Sequence, residues 1–369
     1  MKIVMTGGHH SSALPVIKRL KEKVPDVEIL WMGHKHSMQK DKNPTLEYIE
    51  ITSLGIPFYD LKAGKVYKTY NIGRLLKVPF GFIQAFWFLL RKRPDAIMSF
   101  GGYLAVPVVI AGYILGIPSL THEQTVVTGY SNKLISRFTK KVLVSWKESE
   151  KYFPKDKVMY VGIPLRKEIF HISSDSFNFD NDLLTIYVSA GKTGSHIINE
   201  NIYNSLEKLL TFCNVIHQCG DHSFYKDFEK LESKYMEIRD SVRGRYYLRR
   251  FVLEDEIGEA YMKADLVVSR SGAHTISEII ALQKPSLLIP IPWVSHNEQF
   301  ENAMMVKNLG LANILNEKDL TPESLVENII TCFSKINSMK INNESALDFL
   351  KNDPAELIAN EIIQISKKI

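Results

Sequence analysis

The stretch that most constrains this chain runs from Ala264 to Ala303. It opens on a short apolar run, Ala264 to Val268, which reads as a buried parallel strand. Ser269-Arg270-Ser271-Gly272 makes a small polar turn, and Ile276, Ile279, Ile280 and Leu282 behind it have helical spacing. A second apolar run, Pro285 to Ile289, stops at Pro290-Ile291-Pro292, which can continue neither a helix nor a central strand. Strand, Gly turn, helix, strand is half of a nucleotide-binding fold. The helix start presents unpaired N–H groups and a positive dipole end, so an anion such as a diphosphate fits there.

Three polar residues add to that cradle. Glu278 sits about one turn into the helix, where its carboxylate can accept hydrogen bonds from the vicinal hydroxyls of a ribose, or cap the helix as partner of Thr275. Glu298 and Gln299 follow the Pro-rich loop beyond the strand ends, and a Gln amide suits sugar hydroxyls because it both donates and accepts. A solvated helix N-terminus is the alternative reading of this pair.

With 369 residues, 45% of them apolar, the chain can bury two ordinary cores. A net charge of +5 permits an anionic membrane surface or substrate, and no basic run with interleaved aromatics marks a nucleic-acid face. The three cysteines, Cys213, Cys219 and Cys332, show no metal or redox spacing and fit a reducing compartment. The N-terminus enters a strand, Lys2 to Met5, without a signal-peptide pattern.

In chain order, Thr6-Gly7-Gly8-His9 turns from that first strand into a helix without the full dinucleotide fingerprint. His9 is a general-base candidate at near-neutral pH, or a helix-capping or solvated histidine. From Lys77 through Phe82, Phe86 and Trp87 to Arg93 runs an apolar helix with basic flanks, too short to span a bilayer, for which about 20 residues are needed. It reads either as a core helix or as one lying in the headgroup layer. Gly101-Gly102-Tyr103 closes another strand, and His122-Glu123-Gln124 a further one. Glu123 is a second proton acceptor, or a residue orienting His122 or the backbone. Val161-Gly162-Ile163-Pro164-Leu165-Arg166 leads to a polar stretch, Ser173 to Asp182, with the composition of a linker. Arg166 reads as a phosphate contact or a surface ion pair. The second half repeats the grammar: a strand from Leu184 to Val188, then Gly191-Lys192-Thr193-Gly194. A Walker loop would need Gly where Ile186 stands, so an ATPase is excluded. His217-Gln218-Cys219-Gly220 and Phe251-Val252 complete the series.

Taken together and in order, these motifs resemble the MurG-type glycosyltransferases, with Arg270-Ser271-Gly272-Ala273, Ser277-Glu278 and Glu298-Gln299 carrying the strongest likeness. The resemblance implies an α/β chain of two Rossmann-like domains facing across a cleft, the GT-B architecture. The expected domains are 1–164 (acceptor and membrane side) and 165–353 (UDP-sugar donor side), with a helix over 354–369 returning to the first. It implies inverting transfer of N-acetylglucosamine from UDP-GlcNAc to lipid I, giving lipid II, with no cofactor and no metal required. His9 and Glu123 would be catalytic. Donor contacts would come from Thr6, Gly7, Gly8, Thr125, Arg166, Gly191, Lys192, Thr193, Gly194, Val252, Arg270, Ser271, Gly272, Ala273, Glu278, Glu298 and Gln299. Lys77, Phe82, Phe86, Trp87, Gly101, Gly102 and Tyr103 would face the polyprenyl-diphosphate acceptor and an anionic membrane surface, on the cytoplasmic side. Thr125-Val126 replaces the family's Asn-Gly, where the Asn touches the donor sugar. That departure keeps another UDP-sugar or lipid-linked acceptor open, with a UDP-sugar 2-epimerase or a non-catalytic sugar-nucleotide-binding partner as further alternatives.

Overall fold

The structure, a computed structural model, describes residues 1–36, 44–63, 77–191, 194–222, 224–294, 297–341 and 353–367. Its contacts divide the chain into two units, Met1–Leu165 with Phe349–Ile369, and Arg166–Asp348.

The first unit holds β1 (Lys2–Thr6), β2 (Glu28–Gly33), β3 (Phe58–Asp60), β4 (Ala96–Ser99), β5 (Ser119–Glu123), β6 (Lys141–Val144) and β7 (Val158–Tyr160). They form one sheet in the order β3-β2-β1-β4-β5-β6-β7, parallel throughout. The second unit holds β8 (Leu184–Ser189), β9 (Cys213–Gln218), β10 (Tyr246–Arg249), β11 (Leu266–Ser269), β12 (Ser286–Leu288) and β13 (Ala312–Ile314). Its parallel order is β10-β9-β8-β11-β12-β13. Strands such as Ile3-Val4-Met5 and Val267-Val268 are wholly buried because helices cover both faces of each sheet. In such doubly wound sheets, ligands bind outside the strand C-termini where the order reverses. Those places are the loops after β1 and β4 in one unit, and after β8 and β11 in the other.

The helix Lys77–Lys92 sorts its aromatics by the 3.6-residue period. Ala85 and Leu89 are fully buried, and Phe82 and Phe86 pack against the same core, so Phe82 and Phe86 are not the outward face expected of them. The outward stripe is Phe80, Ile83, Trp87 and Leu90, each 39–58% exposed. Gly81 lies so close to Ala63 that an added Cβ would come within 2.8 Å of its Cα. Gln84 donates to the Asp60 carbonyl at 2.7 Å and accepts from the Lys62 amide at 2.9 Å, which explains a glutamine in an apolar helix. Lys77 opens the helix, and its side chain lies outside the described part.

The final helix, Pro354–Ser366, is capped by Asp353, whose carboxylate accepts from the amides of Ala355 and Glu356. Ile358 and Ile362 enter the core of the first unit beside Val16, Ile17 and Leu20. Arg19 reaches Asp353 at 2.6 Å and Lys141 reaches Glu361 at 2.6 Å around the rim.

The stretch Ser173 to Asp182 differs from a linker. Glu259, fully buried, accepts from the Ser174 hydroxyl and from the amides of Ser176 and Phe177 at 2.7 and 3.1 Å. Phe177 is itself fully buried, so this stretch is pinned to the helix Glu254–Lys263 within the second unit.

Candidate functional site

In the second unit, β8 ends at Ser189 and the chain turns through Gly191 and Gly194, with φ of +73° and +72°. A Cβ on Gly194 would run into the Cys219 carbonyl, so the turn needs glycine for space as well as for backbone angle. Gln218, at the end of β9, donates to the Gly191 carbonyl and accepts from the Val252 amide, both at 2.8 Å. The Val252 N–H is therefore engaged by Gln218 rather than left free for a base edge. Lys192 and Thr193 lie outside the described residues.

The helix after β11, Ala273–Ala281, starts from Gly272, which has extended backbone and no side-chain cap hydrogen bond. Gly272 is half-exposed, with open space where a Cβ would stand, so the first amides of this helix are the accessible polar groups of the turn. With the helix beginning at Ala273, Thr275 is already its third residue, and Glu278 is not its capping partner. Instead Glu278, 6% exposed, accepts from Arg166 Nε at 2.9 Å on Oε1 and from the Tyr261 hydroxyl at 2.7 Å on Oε2. Arg166 is thus an ion-pair partner of Glu278, with its side chain still 32% exposed. Burial works against the Arg166 charge, but the Glu278 carboxylate outweighs it and holds the guanidinium protonated.

Arg270 and Ser271 also turn inward. Arg270 donates to the Ile289 carbonyl at 3.0 Å and the Ser195 hydroxyl at 2.9 Å, and pairs with Glu317 at 2.5 Å. It is 7% exposed, and its guanidinium ties the loop after β11 to the loop after β8. Ser271, fully buried, donates to the Gln299 carbonyl at 2.6 Å and accepts on its own carbonyl from Asn302 at 3.0 Å. Gln299 accepts from the Ile291 amide at 3.1 Å, and Glu298, half-buried, is the first residue of the helix Glu298–Asn308. Ala273 is 8% exposed, so what it offers is its backbone.

In the first unit, the glycines serve the approach of two loops. A Cβ on Gly7, at φ +137°, would come within 2.7 Å of the Phe100 backbone, and the Gly8 amide donates to the Gly101 carbonyl at 3.0 Å. Gly101 and Gly102 have φ of +73° and +79°. Thr6 is fully buried at the end of β1. His9 is the N-cap of the helix His10–Lys23, makes no side-chain cap bond and is exposed. Although the residue is exposed, the protein crowded around it, and then the neighbouring His10, push its imidazole below the ordinary value. Tyr103 is half-buried, its ring 5.8 Å from that of His34, and burial followed by the Glu47 charge raises its pKa.

Glu123 differs from the expectation of a base. It is 3% exposed, and its carboxylate accepts from the Thr125 amide at 3.0 Å, the Thr125 hydroxyl at 2.7 Å and Asn132 Nδ2 at 3.0 Å. A general base must reach the proton it takes, and this one is enclosed by its own loop. Nor does it orient His122, whose Nε2 meets the Gly162 carbonyl at 3.0 Å and Ser145 Oγ at 2.9 Å. Thr125, 4% exposed, is turned inward by its bonds to Glu123 and to the Val127 carbonyl, so it does not present a side chain to a donor sugar.

One residue of the site carries no motif in the sequence reading: Tyr261 is found only because the fold brings it to Glu278. Gln218 stands in the His217–Gly220 motif, and the fold adds its link from the Gly191 turn to Val252. Among the described residues, no group of three or more His, Cys, Asp and Glu is placed to hold a metal ion.

Known proteins share this arrangement along the whole chain. Residues 3–144 match the glycosyltransferase family 28 N-terminal domain, and residues 185–362 its C-terminal domain. A UDP-N-acetylglucosamine–N-acetylmuramyl-(pentapeptide) pyrophosphoryl-undecaprenol N-acetylglucosamine transferase of Clostridium botulinum is 32% identical, over 100% of this chain and 98% of its own. In fold, the crystal structure of Acinetobacter baumannii MurG superposes with a TM-score of 0.71 at 23% identity, covering 98% of this chain and 99% of that one. A UDP-GlcNAc 2-epimerase from Neisseria meningitidis, bound to UDP-GlcNAc, gives 0.59 at 15% identity with full coverage of both chains, so the fold alone does not separate transferase from epimerase. The full-length similarity does: the chain belongs to glycosyltransferase family 28, within the MurG-type group, and its two parallel-sheet units are those of a GT-B fold.

Proposed function

We propose that the protein transfers N-acetylglucosamine from UDP-GlcNAc to the undecaprenyl-diphosphate-linked muramoyl-pentapeptide, lipid I, with inversion, to form lipid II. The observation that carries this reading is Glu278, a buried and doubly held acid one turn beyond an uncapped helix start, in a chain similar end to end to named transferases of this reaction. Glu278 accepts from the ribose diol. Amides of the Gly272 helix start meet the diphosphate. Glu298 and Gln299 take hydroxyls of the sugar. The acceptor hydroxyl oxygen bonds to the anomeric carbon while the bond from that carbon to the diphosphate breaks. The hydroxyl proton goes to His9, and UDP leaves with the electron pair. The leaving-group charge is met by amides in this scheme, so transfer is metal-independent and survives a chelator.

The outward stripe of Phe80, Ile83, Trp87 and Leu90, followed by Arg91, Lys92 and Arg93, suits the headgroup layer of an anionic membrane. Among the described residues no helix is long and apolar enough to cross a bilayer. The protein then works peripherally, on the cytoplasmic face. The test is UDP release from UDP-GlcNAc, measured with and without a polyprenyl-diphosphoryl acceptor and repeated with other UDP-sugars. Release that depends on the acceptor and prefers UDP-GlcNAc is expected. Release without acceptor, or conversion to the 2-epimer, would sink the reading.

A further inference from the structure

We propose that Tyr261, with Arg166 as its counterpart, is a positioning residue that fixes the Glu278 carboxylate to read the ribose 2′-hydroxyl, making the protein selective for ribo over 2′-deoxyribo donors. This rests on the reading of Glu278 as the ribose acid. Each Glu278 oxygen carries one protein donor: Arg166 Nε on Oε1 at 2.9 Å, and the Tyr261 hydroxyl on Oε2 at 2.7 Å. A carboxylate has about four acceptor sites, so one remains on each oxygen. That is the complement of a vicinal diol, which brings two O–H donors side by side.

The terminal torsion of a glutamate is broad and roughly two-fold, so an unsupported carboxylate swings. Here it is clamped. Tyr261 is 3% exposed, and its ring packs edge-on against Tyr187 at 5.3 Å, so its hydroxyl has little freedom. Burial, and then the Glu278 charge, push the phenol well above its ordinary range, so it remains a donor at neutral pH. If Tyr261 served only to balance the buried charge, Arg166 would already do so, and its hydroxyl would be dispensable for ligand choice.

The experiment is calorimetric binding of UDP and 2′-deoxy-UDP to the full chain and to Tyr261→Phe and Arg166→Ala. Wild type should prefer UDP, and Tyr261→Phe should lose several-fold of that preference with its 2′-deoxy-UDP affinity little changed. Arg166→Ala, at a more exposed position, should narrow the preference in the same way and decides the matter if the tyrosine variant does not fold. Equal weakening of both ligands would overturn the proposal, pointing to a structural role for Tyr261 or a phosphate contact by Arg166. An unaltered preference would overturn it as well. Glu278→Gln separates the two levels: if it keeps the wild-type preference, the ribose reading of Glu278 itself fails. If Glu278→Gln loses the preference and Tyr261→Phe keeps it, only the positioning role fails.

Discussion

Each unit buries a glutamate, Glu123 at the end of β5 and Glu278 in the helix after β11, and the two acids are held by opposite means. Glu123 is enclosed by neutral donors, Thr125 of the loop that follows it and Asn132 of the helix Tyr130–Ile135, within ten residues along the chain. Glu278 is held by a cation and a phenol that arrive from 112 and 17 residues away. Burial pushes the Glu123 carboxyl up against hydrogen bonds that lower it, which marks a group locked in place. Glu278 keeps its charge balanced and spare acceptor sites on both oxygens. The contrast teaches that burial of an acid is by itself no guide to its role; what matters is whether its partners exhaust it.

The largest effect that should follow is on donor binding. Glu278→Ala should raise the donor KM by about 10²-fold, since hydrogen bonds to a charged group contribute about 1.5–3 kcal/mol each, with a smaller change in turnover. An unaltered KM would reverse the comparison. Next comes the base: His9→Ala should lower turnover by about 10²-fold, while Glu123→Gln should keep it within about threefold. A large loss in Glu123→Gln at normal stability would return that acid to the chemistry.

The smallest effect concerns acid. In the second unit, burial pushes the His217 imidazole down to about 3, between Tyr246 and Asn199. The unfolded chain then binds the extra proton first, so stability is full above about pH 6.5 and falls by about 1.4 kcal/mol per pH unit below it. In the first unit, His122 is likewise pushed down to about 4, again by burial. There burial raises Glu47 to about 7, against hydrogen bonds from Trp31 and the His34 backbone. Its folded form holds the proton more tightly, so stability rises as pH falls from about 7 to 4.5, opposing the histidine. Hydrogen exchange followed from pH 7 to 5 should therefore open the second unit before the first. Equal loss of protection in both would contradict the opposed titrations.

The fold class was legible because buried parallel strands leave continuous apolar runs, and because each switch point needs a tight turn that glycine supplies. Gly191 and Gly194 could be found that way. The inward turn of Arg270 could not, since its partners Ile289, Ser195 and Glu317 are 19 to 75 residues distant. Nor could the outward face of Lys77–Lys92, where a helix apolar on most sides gives no clue to which side the sheet takes. Tyr261 stands in no motif, because only the packing brings its hydroxyl to Glu278.

By itself, the sequence determined the local grammar: where strands run, where glycine must stand, and which residues can carry charge at a turn. Only the tertiary structure decided which of those charges are spent on the protein itself. Period and propensity act over a few residues, whereas a guanidinium or carboxylate is committed by whichever partner the folded chain delivers from far away.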